Sequence, residues 1–279
     1  MLIALPVLLL PLGFLAPMQT SATGHPTTPG TTSTSTSTST TLVNGVNPFT
    51  SPAMATYLNT RKNKVTAAVY DVASGQTYLY RPNTPELTAS MIKIDILAAL
   101  LAQAQTEHRS LTTAERALAT SMVEESDNKA AQNLFVEIGQ EPAIYAFDRL
   151  LGFIQTTESW SWGDVLTTPL DQLALLKAIA LPNRILNDSS RSYEQLLMQH
   201  VDTAERFGLG SGPPPSATIG LKDGYYPEKT GWQINSDGYV HLGNRFYLAA
   251  IMTSNNPNEV YGIDTVNAIA KMIWTTLKP

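Results

Sequence analysis

QINSDGYVHL and RFYLAAIMT, at residues 233–242 and 245–253, are two runs of alternating or aromatic character separated by Gly243-Asn244. A glycine-asparagine pair supplies the backbone freedom of a tight turn, so the two runs read as neighbouring antiparallel strands. ATIGL at 217–221 precedes them as a further strand, and the amphipathic stretch at 261–277 follows as a closing helix. Near the other end of the chain, VTAAVY at 65–70 and TYLY at 77–80 flank a turn containing Ser74-Gly75 and form a hairpin. Everything between is helical in period, with helices expected at 92–105, 113–124, 127–138, 141–151, 169–180 and 189–200. Two strands, a helical insert, three strands and a helix predict an α+β fold. Its five-stranded antiparallel sheet is assembled from both ends of the chain, flanked by helices, and carries an inserted all-helical lobe. The expected sheet lobe comprises residues 47–88 and 213–279, and the helical lobe residues 89–212.

The chain of 279 residues is 43% hydrophobic and 15% charged, enough to bury a full core. A net charge of −5 and no arginine-rich stripe argue against nucleic acid as a partner. Residues 2–17 form an apolar run, interrupted by Pro6 and Pro11, that is short for a membrane span and reads as the core of an export signal. Residues 1–22 are accordingly expected to be a signal peptide, with small residues at Ser21-Ala22 as a cleavage point, although no Lys or Arg precedes Arg61. Residues 23–46 are expected to be a linker, since the Ser/Thr alternation at 32–37 cannot bury apolar surface. A tether and unselected low complexity explain it equally well. The protein is expected to be a monomer outside the cytoplasm, touching a membrane only through an uncleaved N-terminal segment. No cysteine is present, so thiol chemistry and disulfides are excluded. The histidines at 25, 108, 200 and 241 lack ligand spacing, so neither a metal nor a cofactor is expected. Gly208 to Gly212, followed by three prolines, lacks a nucleotide-site context and reads as a lobe linker.

Three short elements carry chemistry. Ser90-Met91-Ile92-Lys93 lies where an extended segment turns into the first long helix, which puts the lysine one turn on from the serine and on the same face. An alcohol needs a base to become a nucleophile, and a lysine can be that base when burial lowers its pKa. Alone, this spacing arises often by chance. Ser126-Asp127-Asn128, between two helices, can project side chains into a cleft, although a helix cap explains Ser126 equally. Lys222-Asp223-Gly224 ends the strand at 217–221. Lys229-Thr230-Gly231 is a competing third element, disfavoured because a strand ending there would leave too little chain for the next one.

In order and structural type, the three elements resemble the S-x-x-K, S-D-N and K-T-G signatures of the class A β-lactamase and penicillin-binding-protein superfamily. The resemblance spans about residues 47–278. It implies Ser90 as nucleophile, Lys93 as its activator and Ser126 as proton relay to the leaving nitrogen. It further implies Asn128 as a contact to substrate amide and Lys93, Lys222 as a cation for a substrate carboxylate, Asp223 and Gly224 as substrate-binding positions, and the N–H groups of Ser90 and Tyr225 as oxyanion hole. The implied partner is a small-molecule β-lactam or a peptide or ester donor, a cell-wall peptide among them.

Two departures qualify this. Asp223 stands where the family has a hydroxyl, setting a carboxylate against any substrate carboxylate. The loop at 155–164 lacks the E-x-x-L-N pattern whose glutamate activates the deacylating water; Glu158 and Asp164 are its carboxylates, each expected to be a plain loop residue. Trp160 and Trp162 fit either a cleft mouth or a staple under the loop. The expected function is therefore an extracellular serine hydrolase acylated on Ser90, with slow deacylation. A D,D-peptidase or esterase is the alternative enzyme, and a catalytically silent wall-binding domain the alternative outside enzymes.

Overall fold

The computed structural model describes residues 46–277. A helix not anticipated from the sequence comes first: α1 (Pro52–Thr60), capped by the Ser51 hydroxyl, with proline in its first turn. That Ser-Pro pair is a start signal, but the nine-residue helix buries little besides Met54, so its apolar periodicity is faint. The hairpin follows as β1 (Lys64–Asp71) and β2 (Gln76–Tyr80), then a two-residue strand, β3 (Glu86–Leu87). The helical insert runs α2 (Ile92–Thr106), α3 (Thr113–Glu124), α4 (Asn128–Ile138) and α5 (Gln140–Leu151). After a loop it continues through β4 (Leu166–Thr167), α6 (Pro169–Ala180) and α7 (Asp188–Gln199). The chain then forms β5 (Thr218–Glu228), β6 (Gly231–Leu242), β7 (Arg245–Asn256) and α8 (Glu259–Thr276).

The sheet has the order β2-β1-β7-β6-β5, every neighbour antiparallel, so the two halves of the sequence meet at β1 and β7. In β6 and β7 eight consecutive residues are buried, which means both faces of the central sheet are covered. α8 lies against β6 and β7, while α6 lies against β1 and β7. α6, assigned from the sequence to the helical lobe, thus also backs the sheet, and one continuous apolar core runs through both.

One strand differs in a way that matters. The sequence suggested a strand stopping near Leu221 and a loop from Tyr225 to Glu228; instead β5 pairs with β6 through to Glu228↔Gly231, and Lys229-Thr230 form the turn. β5 is an edge strand, where Pro227 is tolerated because one row of N–H groups has no partner strand. Lys222 therefore sits in mid-strand beside the helical insert, and Lys229 at the far tip.

Candidate active site

Ser90 lies in a 3-10 turn, Ala89–Met91, that leads directly into α2. Three contacts fix that turn. Thr88 N–H donates to Val165 O at 2.9 Å, joining it to the loop after α5. The buried Asn235 side chain of β6 donates to Leu87 O at 2.7 Å and accepts from Thr253 N–H at 3.1 Å. Gly224 of β5 comes so close that a Cβ there would stand 2.8 Å from Thr88 O and 3.0 Å from Ser90 N. Glycine is required for that approach. The backbone is strained here as well: Ala89 has φ 48° and Ser126 φ 57°, a left-handed conformation that costs L-residues about 1–3 kcal/mol. Neither Asn235 nor Ala89 stood out in the sequence, since their roles depend on which strand passes beneath the turn.

Lys93, the second residue of α2 and one turn on from Ser90, is buried and donates to Ser126 O at 2.5 Å, Ser126 Oγ at 3.0 Å and Asn128 Oδ1 at 2.8 Å. The cap of α4 is Asp127, whose carboxylate accepts from Ala130 N–H at 2.5 Å; Ser126 is thereby freed from capping and turned into the cleft. From the opposite side, buried Lys222 reaches the same Ser126 Oγ at 3.0 Å. Ser126 Oγ thus accepts from two amines, and its own proton remains for another acceptor. Burial, with the neighbouring Lys222 cation next in weight, pulls the Lys93 amine down to about 7. Burial also lowers Lys222, partly offset by Asp223, Glu205 and Asp237. Among the described residues no hydrogen bond joins Ser90 Oγ to Lys93 Nζ.

The structure corrects the place of Asp223. Its carboxyl is fully buried, with Oδ2 accepting from Phe207 N–H at 2.6 Å, and burial raises it to about 7. It is turned away from any substrate and holds the segment around Phe207 onto β5, so Gly224 alone of that pair borders the Ser90 turn. The conflict foreseen between Asp223 and a substrate carboxylate does not arise from this residue.

The loop from 153 to 167 is pinned by Asp171 at the start of α6, which accepts from Ile154 N–H at 3.2 Å, Gln155 N–H at 2.9 Å and the Thr156 hydroxyl at 2.8 Å. Neither loop carboxylate makes a hydrogen bond or ion pair with Lys93 among the described residues. Glu158 instead lies close to Asp148 of α5, which in turn lies close to Asp95 of α2; burial raises all three, Asp148 to about 12. So close a group of buried carboxyls keeps protons, because neighbouring carboxylates repel and are poorly solvated there. What faces Lys93 is Trp162, its ring centroid 5.3 Å from Nζ. Trp160 is 66% exposed, so of the two indoles it is Trp162 that lines the cleft.

An antiparallel sheet assembled from both chain ends, a serine on a strained turn, and a hydroxyl shared by two buried lysines describe an active-site serine hydrolase of the β-lactamase type. The match to known proteins is specific: the family model described as "Beta-lactamase enzyme family" covers residues 114–277, and the chain belongs to that family. The fold is similar to a class A beta-lactamase from Bacteroides cellulosilyticus, with TM-score 0.71 and 17% identity over 80% of this chain and 94% of that one. It is similar to a class A beta-lactamase from Mycobacterium abscessus, with TM-score 0.68 and 19% identity over 79% and 96%. PBP-A gives TM-score 0.69 and 20% identity over 79% and 92%. No curated protein matches the sequence.

Proposed function

We propose that this protein acts outside the cytoplasm and is acylated on Ser90 by a β-lactam or a related amide or ester, and that it releases the acyl group slowly. The observation that carries the acylation is Ser126 Oγ held at 3.0 Å by both Lys93 and Lys222 beside the Ser90 turn. Lys93, neutral in part at pH 7, takes the proton of Ser90 Oγ as that oxygen attacks the carbonyl carbon. The oxyanion accepts from Ser90 N–H and from Tyr225 N–H, β5 being an edge strand with unpaired donors. Ser126 gives its proton to the leaving nitrogen as the bond to carbon breaks, and the Lys93 ammonium restores it. Asn128 orients Lys93 and offers its amide to the substrate.

Slow release is supported by Trp162. The side chain that faces Lys93 is an indole, at 5.3 Å, and among the described residues neither Glu158 nor Asp164 makes a hydrogen bond or ion pair with that amine. Export is supported by the apolar run at residues 2–17 and the Ser/Thr-rich stretch after it, both of which lie outside the described residues. Among the described residues no helix is long and apolar enough to cross a membrane.

The test is intact-protein mass spectrometry with a chromogenic β-lactam. The expected result is a stoichiometric burst, a stable adduct on wild type and none on Ser90→Ala. No adduct with β-lactams, wall peptides or activated esters would refute the proposal.

A further inference from the structure

Residues 202–209 lie against β5 and β6, held by the Phe207 N–H bond to Asp223 and by Leu209 N–H donating to Ser236 Oγ at 3.1 Å. This segment brings one carboxylate to the cleft. Glu205 Oε1 accepts from the Tyr225 phenol at 3.2 Å, next to the backbone assigned to the oxyanion hole. Glu205 Oε2 is shielded from solvent yet has no hydrogen-bond partner. The charge of Glu205 is felt by both cleft lysines, raising the proton affinity of Lys93 and of Lys222. The adjacent Arg206 makes no ion pair with Glu205; its guanidinium donates instead to Gln199 O at 3.1 Å and Ile219 O at 3.2 Å.

Beside Ser126, then, an incoming donor meets the Lys222 cation, the Glu205 anion and the Tyr225 hydroxyl. A carboxylate drawn to Lys222 enters the field of Glu205, where like charges a few ångströms apart in a partly buried cleft repel appreciably. We propose that Glu205 is a specificity-determining residue that offsets the pull of Lys222, so that the cleft favours acyl donors uncharged next to the scissile bond over those bearing a carboxylate there. This rests on the acylation of Ser90 proposed above. It assigns to Glu205 a discrimination that the three signature elements do not supply.

The experiment uses one β-lactam as its free carboxylate and as its methyl ester, comparing rates of Ser90 adduct formation. In Glu205→Gln the rate ratio of carboxylate to ester should rise about tenfold, the size expected for removing one like charge at short range. Because Glu205→Gln leaves the Lys222 cation unopposed, high salt should lower the ratio of the variant and change that of the wild type less. Tyr225→Phe, which keeps the charge, should leave the ratio near wild type; a shift equal to that of Glu205→Gln would place the effect in loop geometry and overturn the proposal. Glu205→Gln should also move the pH midpoint of ester acylation downward, because Glu205 favours the Lys93 ammonium. A ratio unchanged within twofold would overturn the inference. The same two ligands titrated against Ser90→Ala, with and without Glu205→Gln, read the discrimination as affinity without chemistry. An absent adduct therefore refutes acylation, while an unchanged affinity ratio refutes the role of Glu205.

Discussion

If Lys93 is the base for Ser90, acylation must follow the fraction of its amine that is neutral. The pKa sits at about 7 because burial, and then the Lys222 cation, disfavour the ammonium. For a lysine ordinarily near 10.5, that displacement corresponds to about 5 kcal/mol against the charged form. The neutral fraction is then about one in eleven at pH 6, one half at pH 7 and ten in eleven at pH 8. With an uncharged ester the second-order rate of adduct formation should rise about tenfold between pH 6 and pH 8 and level off beyond, read by intact-mass time courses. Removing the second cation in Lys222→Met should move the midpoint upward, since the Lys222 charge is one of the two causes of the low value. A flat profile between pH 6 and pH 9, or a midpoint near 10, would refute Lys93 as the base.

Gly224→Ala would push a methyl to within 3.0 Å of Ser90 N and should cut acylation about a hundredfold while lowering the melting temperature by a few degrees; rates near wild type would contradict the close approach of β5. Trp162→Glu places a carboxylate beside Lys93 and should hasten decay of the adduct by tenfold or more, measured as recovery of free enzyme; unchanged decay would remove the explanation offered for slow release. Asp148 keeps its proton when folded and loses it above about pH 4 when unfolded, so the folded state binds more protons and stability falls as pH rises from about 4 toward the folded value. Asp148→Asn should therefore stabilise the protein at pH 7 by up to about 4 kcal/mol and flatten the pH dependence of urea unfolding. A destabilised variant with the slope intact would show that the carboxyl cluster is ionised and otherwise compensated.

How much of this was legible beforehand varies with how local the cause is. α3 and α6 match their expected bounds because a Thr112 capping box opens one and Thr168-Pro169 opens the other, signals written within a few residues. α1 was missed because its burial depends on α8 far along the chain. β5 was read too short because a strand continuing through Tyr225-Tyr226-Pro227 is plausible only at an edge, and edge position is a property of the sheet order. Glu158 and Asp164 offered two carboxylates to the loop, and nothing local says that one turns to Asp148 and that an indole faces Lys93 instead.

By itself the sequence determined the layer plan, the order of elements and the three short signatures, because hydrophobic period, turn residues and spacing along one chain are local quantities. The tertiary structure decided the rest. It chose Lys222 over Lys229 by placing one beside Ser126 and the other at a turn, and it buried Asp223 beneath Phe207. It also brought Glu205 and Trp162 to the cleft, because distances and dielectric surroundings exist only once segments far apart in the chain have packed together.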